Sequence, residues 1–284
     1  MHRLIDSHVH LFDLKTGDYH WLRPENPPHW GDKSFINRSF SQQDISVTDP
    51  VTLSGIVHIE AGYDNRRPWR EIDYLEQAVS LPLRTVAGAD ITSTSFSDTL
   101  DKLAAFKSVC GIRHILDDQA VSVLGHSLTA NNMQYLADSD WHFEAQFSAS
   151  DSRATQALLR LLNTTGARCI INHAGIIPGE TVNTLKWREN LQLLAQSPNV
   201  AIKASGWEMM GATRQWRVAQ VAEIVDTLIT LFGVPRVMLA SNFPLCLFTC
   251  NYGTYWQQMT GCLPLAHLKA LLYENSVNWY RFNQ

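Results

Sequence analysis

The chain has 284 residues, enough for one large domain or two ordinary ones. Lys and Arg total 23 against 27 Asp and Glu, a formal charge of −4, so no basic excess is available to hold a phosphate backbone, and nucleic acid is not an expected partner. A hydrophobic content of 45%, with 9 Trp and 11 Phe, is too high for a disordered chain and suffices for a sizeable core.

The opening MHRLIDSHVHLF is partly apolar, but Asp6, His8 and His10 interrupt it too early for a secretory leader, so the mature protein is expected to begin at Met1. From there, short β-branched runs alternate with helix-length amphipathic stretches, the pattern of βα units. Strands are expected over 4–9, 54–60, 84–91, 110–115, 141–147, 167–172, 199–204 and 236–241. Helical signals follow the second through eighth. The clearest is the stripe Val218, Val221, Ala222, Val225, Leu228 and Ile229, and the last, over 264–282, carries Pro264 in its first turn.

Eight such units in one chain of this length suit a (β/α)8 TIM barrel better than a doubly wound sheet, and no GxGxxG or GKS/T loop appears. No repeat, low-complexity tract or linker divides residues 1–284, which read as a single domain. Residues 18–40 (DYHWLRPENPPHWGDKSFINRSF) break the rhythm after the first strand, where a long loop would serve as a substrate lid. No run approaches the roughly 18 apolar residues of a membrane span, so no membrane association is expected. Cys110, Cys169, Cys246, Cys250 and Cys262 form no CxxC pair, and a chain this large needs no disulfide staples, which fits a reducing cytoplasm.

Side chains alternate along a strand, so His8 and His10 project to the same side about 7 Å apart, a spacing that suits two ligands of one metal ion or a pair of hydrogen-bonded imidazoles. Near the expected C-terminal strand ends lie further polar residues: His58 and Glu60, Asp90, His114, His142 with Glu144 and Gln146, His173, Lys203 with Ser205, and Asn242. Burying such groups without partners would cost several kcal/mol each, so they must form a network or face a wet pocket, and a barrel mouth is such a pocket.

The segments IDSHVHLFD, DYHWL, EAGYDNRRPWREIDYL, GIRHIL, INHAGIIPG, IKASG, ASNFPL and ENSVNWYRF come in an order that resembles the amidohydrolase-related (amidohydrolase 2) family over nearly the whole chain. They look most like its lactonase branch, which includes sugar lactonases and 2-pyrone-4,6-dicarboxylate lactonase. The resemblance implies a (β/α)8 barrel in which His8, His10 and His173 hold a divalent metal, zinc, or act without one, as some members of that branch do. The fourth family position is an Asp in a motif resembling GSDWP, where it ligates metal or takes the proton of the attacking water. Here the motif reads Ser241, Asn242, Phe243, Pro244. Asn has no useful basicity, so it cannot be the general base.

Three outcomes follow from Asn242. It holds a water or substrate while Glu60, Glu144 or His114 supplies the base; or the three histidines polarise a carbonyl without metal; or the barrel binds a ligand and has lost hydrolysis. Arg113, His114 and Lys203 are candidate substrate contacts, Arg66 and Arg67 are further cations, and Tyr19, Trp21 and Trp30 could cover a ring. The expected activity is opening of a lactone or similar small cyclic ester, with a zinc-dependent decarboxylase and a non-catalytic small-molecule-binding barrel as alternatives.

Overall fold

Eight parallel strands pair in chain order: β1 (His2–Val9), β2 (Val51–Ile59), β3 (Leu83–Gly88), β4 (Val109–Ile115), β5 (His142–Gln146), β6 (Arg168–Ile171), β7 (Val200–Ala204) and β8 (Val237–Leu239). The computed structural model describes residues 1–176, 184–211 and 213–282. Val9 bridges Phe243 just past β8, and the His10 N–H donates to the Phe243 carbonyl at 2.7 Å, which nearly closes the sheet into a (β/α)8 barrel.

Each strand lies where β-branched patterning places it. Several end earlier than expected, most of all β3 at Gly88 and β8 at Leu239, and just past β6 and β8 the residues His173, Ala174 and Asn242 take left-handed φ values of 50°, 55° and 57°. Such backbone is uncommon outside glycine, and here it turns the chain sharply as it leaves the barrel rim.

The helices α1 (Trp69–Ala78), α2 (Phe96–Leu103), α3 (Ala120–Leu124), α4 (Thr129–Asp138), α5 (Ser152–Thr165), α6 (Thr184–Ala195), α7 (Val218–Phe232) and α8 (Tyr252–Cys262) occupy the connections after the second to eighth strands. Helix α5 begins where Asp151 accepts from the N–H groups of Arg153 and Ala154, and stops at Gly166 with φ 68°. In α7 the buried positions are Val221, Val225, Leu228 and Phe232, a stripe narrower than expected, with Val218, Ala222 and Ile229 at its margins. The helix expected over 264–282 is three pieces: α9 (Leu265–Lys269), one π-helical turn (Ala270–Glu274) and α10 (Asn275–Tyr280). Among the described residues no helix is long and apolar enough to cross a membrane.

Inside the barrel, Ile5, Val57, Ile59, Val86, Ile170, Ala201 and Met238 form an apolar cluster that Val277 and Tyr280 of α10 join. The first strand is tied to the last through buried Asp6, whose carboxylate accepts from Ser241 N–H at 3.0 Å, the Ser241 hydroxyl, His8 N–H at 3.2 Å and Tyr252 OH at 2.9 Å. Leu228→Ala, which empties a fully buried position of α7, is expected to lower unfolding stability by about 2–5 kcal/mol in denaturant titrations. Leu265→Ala, at a position 76% exposed, should change it by less than about 0.5 kcal/mol.

Candidate active site

The strand ends surround a cavity of about 590 Å³, within the range of small-ligand sites. Polar lining comes from the residues just past β1 (His10) and β2 (Glu60), from β4 (Arg113) and β5 (Gln146), and from the turns after β6 (His173) and β8 (Asn242). Trp21, Pro27, Pro28 and Trp30 of the 18–40 loop form one apolar wall, with Ile176, Met209 and Leu245 elsewhere on the lining. The loop is clasped to the β7–α7 connection by Asp32 and Arg214, whose Nε···Oδ2 and Nη2···Oδ1 distances are 3.0 and 3.1 Å, and the guanidinium also lies 4.9 Å from the Trp30 ring centre.

A second polar layer is sealed beneath the cavity. Lys203 Nζ lies 2.6 Å from Glu144 Oε2 and 3.2 Å from His8 Nδ1. His8 Nε2 lies 3.1 Å from His10 Nε2, and His10 Nδ1 lies 2.8 Å from the Ile59 carbonyl. The two ends of this chain fix its protons. An ammonium only donates and a carbonyl only accepts, so His8 accepts at Nδ1 and donates from Nε2 to His10, which donates from Nδ1 to Ile59. Glu144 also accepts from Asn172 at 2.7 Å and Tyr280 OH at 2.8 Å. Burial pushes the Glu144 carboxyl up, but Lys203 and His142 overcome this and hold it well below the usual carboxylate range. The Lys203 ammonium is pulled down by burial to about 8 and still keeps its proton beside Glu144 at neutral pH.

All three site imidazoles are neutral at pH 7. Burial, then Lys203 for His8 and Arg113 for His10, lowers both far below the ordinary histidine value, and burial with Arg113 and Lys203 brings His173 to about 3. His173 Nδ1 is 2.9 Å from Ser205 Oγ, which leaves Nε2 for the cavity. Arg113 places Nε at 2.9 Å and Nη2 at 2.8 Å from Glu60 Oε1, and Nη1 at 3.3 Å from Gln146. Glu60 Oε2 has no protein partner among the described residues. Burial pushes this carboxyl up against the opposing pull of Arg113. Asn242 donates from Nδ2 to Glu208 Oε1 at 2.6 Å, leaving its amide oxygen as the group it can offer to the cavity.

The Amidohydrolase family model matches residues 5–282. The chain belongs to the amidohydrolase family. An uncharacterised protein of Sinorhizobium fredii is 28% identical, spanning 98% of each chain, and an L-fucono-1,5-lactonase of Burkholderia ambifaria is 24% identical over 91% of this chain and 86% of its own. Among solved structures, an amidohydrolase from Burkholderia multivorans with bound zinc superposes with a TM-score of 0.78 at 19% identity over 98% of this chain and 99% of that one. A Pseudomonas putida protein assigned as a 2-pyrone-4,6-dicarboxylic acid hydrolase gives 0.70 at 19% identity over 99% and 98%. A dihydroxybenzoic acid decarboxylase of Polaromonas with bound manganese gives 0.63 at 14% over 100% and 98%.

The amidohydrolase barrel brings together His10, His173, Asn242, Glu60, Arg113 and Trp21 around the cavity, with His8 directly behind His10. It does not bring Glu144 or Lys203 to the lining; both are fully buried in the lower layer and spend their charges on each other. Arg113 and His114 are neighbours on one strand and face opposite sides, so His114 points outward, accepting from Ile91 N–H at 3.3 Å beside Asp90. Tyr19 is turned away from the cavity, its hydroxyl accepting from Asp13 N–H at 2.9 Å and its ring packed on Phe12 and Tyr63. Arg66 is exposed, and Arg67 pairs with Asp64. Glu208 was not singled out from the sequence. Its signal is an acidic residue set among Trp207, Met209 and Met210 immediately after a strand, where an unpaired charge would be costly.

A divalent ion on His8, His10 and His173 needs a lone pair from each ring. The 3.1 Å between His8 and His10 Nε2 atoms and the neutrality of the rings suit such a centre. The proton placement does not, because the Lys203 ammonium leaves His8 Nε2 protonated and His10 Nε2 already accepting from it. The nearby carboxylates are already committed to cations, Glu144 to Lys203 and Glu60 through Oε1 to Arg113, and among the described residues no group of three or more His, Cys, Asp or Glu converges as a metal cage. As hydrogen-bonded here, the set does not fit a divalent cation. Dialysed wild-type protein should therefore take up well under about one equivalent of zinc, and Lys203→Met/Glu144→Gln should bind it at least roughly tenfold more tightly by calorimetry. Tight one-to-one zinc uptake by the wild type, lost in His8→Ala, would overturn the proton assignment.

Proposed function

We propose that this amidohydrolase opens a small uncharged lactone by attack of water, without a resident metal. The observation that carries the reading is the cavity wall on which a partly buried carboxylate with one oxygen unclaimed among the described residues, Glu60, is accompanied by Arg113, His173 and Asn242. Glu60 takes one proton of the attacking water as its oxygen bonds to the carbonyl carbon, Asn242 accepts the second hydrogen, and Arg113 and His173, donating from Nε2 while Nδ1 accepts from the Ser205 hydroxyl, face the developing oxyanion; collapse then breaks the ring acyl–oxygen bond and Glu60 returns its proton to the leaving ring oxygen. Glu144 is set aside as the base, because Lys203 holds it ionised and nearly without basicity.

Charge supports the uncharged substrate. The described lining holds one cation, Arg113, already paired to Glu60, and a second carboxyl, Asp117. A dicarboxylate would find no surplus positive charge there. The similarity to an L-fucono-1,5-lactonase points the same way. A second reading places zinc on His8, His10 and His173, supported by the zinc in the Burkholderia multivorans structure, and requires Lys203 to give up His8. Decarboxylation, the activity named for the Polaromonas neighbour, would appear as carbon dioxide release from an aryl acid; the charge of the lining weighs against it.

In a hydrolysis panel, L-fucono-1,5-lactone is expected to turn over faster than 2-pyrone-4,6-dicarboxylate, and the reverse order would refute the charge argument. Glu60→Gln should lower kcat by roughly 10²- to 10⁴-fold. Glu60 works only when ionised, so the rate should rise with pH through its folded-state pKa, which burial places above the ordinary glutamate value. Arg113→Met should move that acid limb to still higher pH, because the cation that opposes burial is gone. An acid limb left unmoved in Arg113→Met, or retained in Glu60→Gln, would remove Glu60 from the role.

A further inference from the structure

Glu208 stands in a 3-10 turn (Trp207–Met209) immediately after β7 and is completely buried. One of its oxygens accepts from Asn242; the other has no hydrogen-bond partner among the described residues. A buried pair kept only for stability would have both oxygens satisfied, since an orphaned carboxylate oxygen costs free energy that an apolar residue would not. The partner of Glu208 is also no ordinary core residue: Asn242 lines the cavity on strained left-handed backbone, with Ser241 beside it held by Asp6. The backbone fixes where the amide sits. Which of its two ends faces inward is left to the side chains around it.

We propose that Glu208 is a positioning residue that turns the Asn242 amide, holding its nitrogen away from the reaction so that its oxygen faces the cavity as a hydrogen-bond acceptor. A carboxylate can receive only the amide nitrogen, and burial pushes Glu208 up to about 7, so the opposite orientation is closed above that pH, where Glu208 is ionised. Asn242 then selects a donor, the attacking water or a hydroxyl of the lactone, and rejects an acceptor at the same point. The inference deepens the hydrolase reading and rests on it for the identity of that donor.

The pair also makes the site intolerant of a carboxylate at 242. With 2.6 Å between the contacting atoms, two carboxylates could not both be ionised and would share a proton. Charged and titratable groups around Glu208 are Arg214 on the connection to α7, Cys246 and Cys250 after β8, and Tyr255 of α8, and Arg214 alone among them is cationic.

The test is a cycle of Glu208→Gln, Asn242→Asp and the double variant, assayed on L-fucono-1,5-lactone and by unfolding stability against pH. In Glu208→Gln both amide orientations become available, so kcat is expected to fall at least about tenfold with a smaller change in KM. Asn242→Asp should lose more activity, and its stability should drop as pH rises through about 5 to 8, where the shared proton must leave a buried site. The double variant restores one carboxylate and one amide and should recover most of the activity and the wild-type pH dependence. Additive losses in the double variant, or an Asn242→Asp enzyme as active and pH-insensitive as wild type, would overturn the proposal. If wild type turns over no lactone, the hydrolase reading fails by itself. The pair is then judged on the stability cycle and on saturable binding of the same lactone, which should weaken about tenfold in Glu208→Gln and return in the double variant.

Discussion

The structure turns on the Glu144–Lys203 ion pair, 2.6 Å across and wholly inside the barrel. Two charges in that position are tolerable only if each is compensated, and the surrounding polar groups are arranged to do so. Tyr280 and Asn172 supply the remaining bonds to Glu144, and His8 receives the outward-pointing hydrogen of Lys203. From that one constraint the proton positions on His8 and then His10 follow, and with them the hydrogen-bonding character of the cavity floor. Charges in the upper layer are arranged separately, Arg113 against Glu60, so the site holds two cations without any net positive face.

The barrel was legible because its signal is repeated. Eight β-branched runs, all but the first followed by an apolar stripe of helical period, agree with one another, and an error of a few residues at a strand end leaves the topology unchanged. His8, His10 and His173 were legible through motif order and strand parity. Parity reached its limit where two neighbours both looked functional: Arg113 and His114 cannot face the same way, and only the fold decides that the guanidinium points inward. Depth along the strand was also hidden, so Glu144 and Glu60 read alike in the sequence though one is sealed beneath the cavity and the other lines it.

The turns after the strands were the least legible part. Glu208 and Asn242 are 34 positions apart and meet only because two successive rim turns fold toward each other. No periodic pattern encodes such a meeting, and the neutral residue at 242 is intelligible only once its acidic partner is seen beside it. Tyr19 shows the opposite case: an aromatic in a loop that looked like a cover is instead the anchor holding the base of that loop to Phe12 and Tyr63.

The polar interior is assembled from segments far apart in the chain. Lys203 lies 195 positions from His8, and Tyr280 lies 136 from Glu144. During synthesis the early strands emerge carrying histidines and a glutamate whose partners do not yet exist. The ammonium appears only with β7 and the phenol only with α10. Until then a partly made barrel holds an interior it cannot satisfy, so a stable centre cannot form by gradual accretion from the N-terminus and must await the closing helix. Loss of that helix would be felt first in the middle of the molecule.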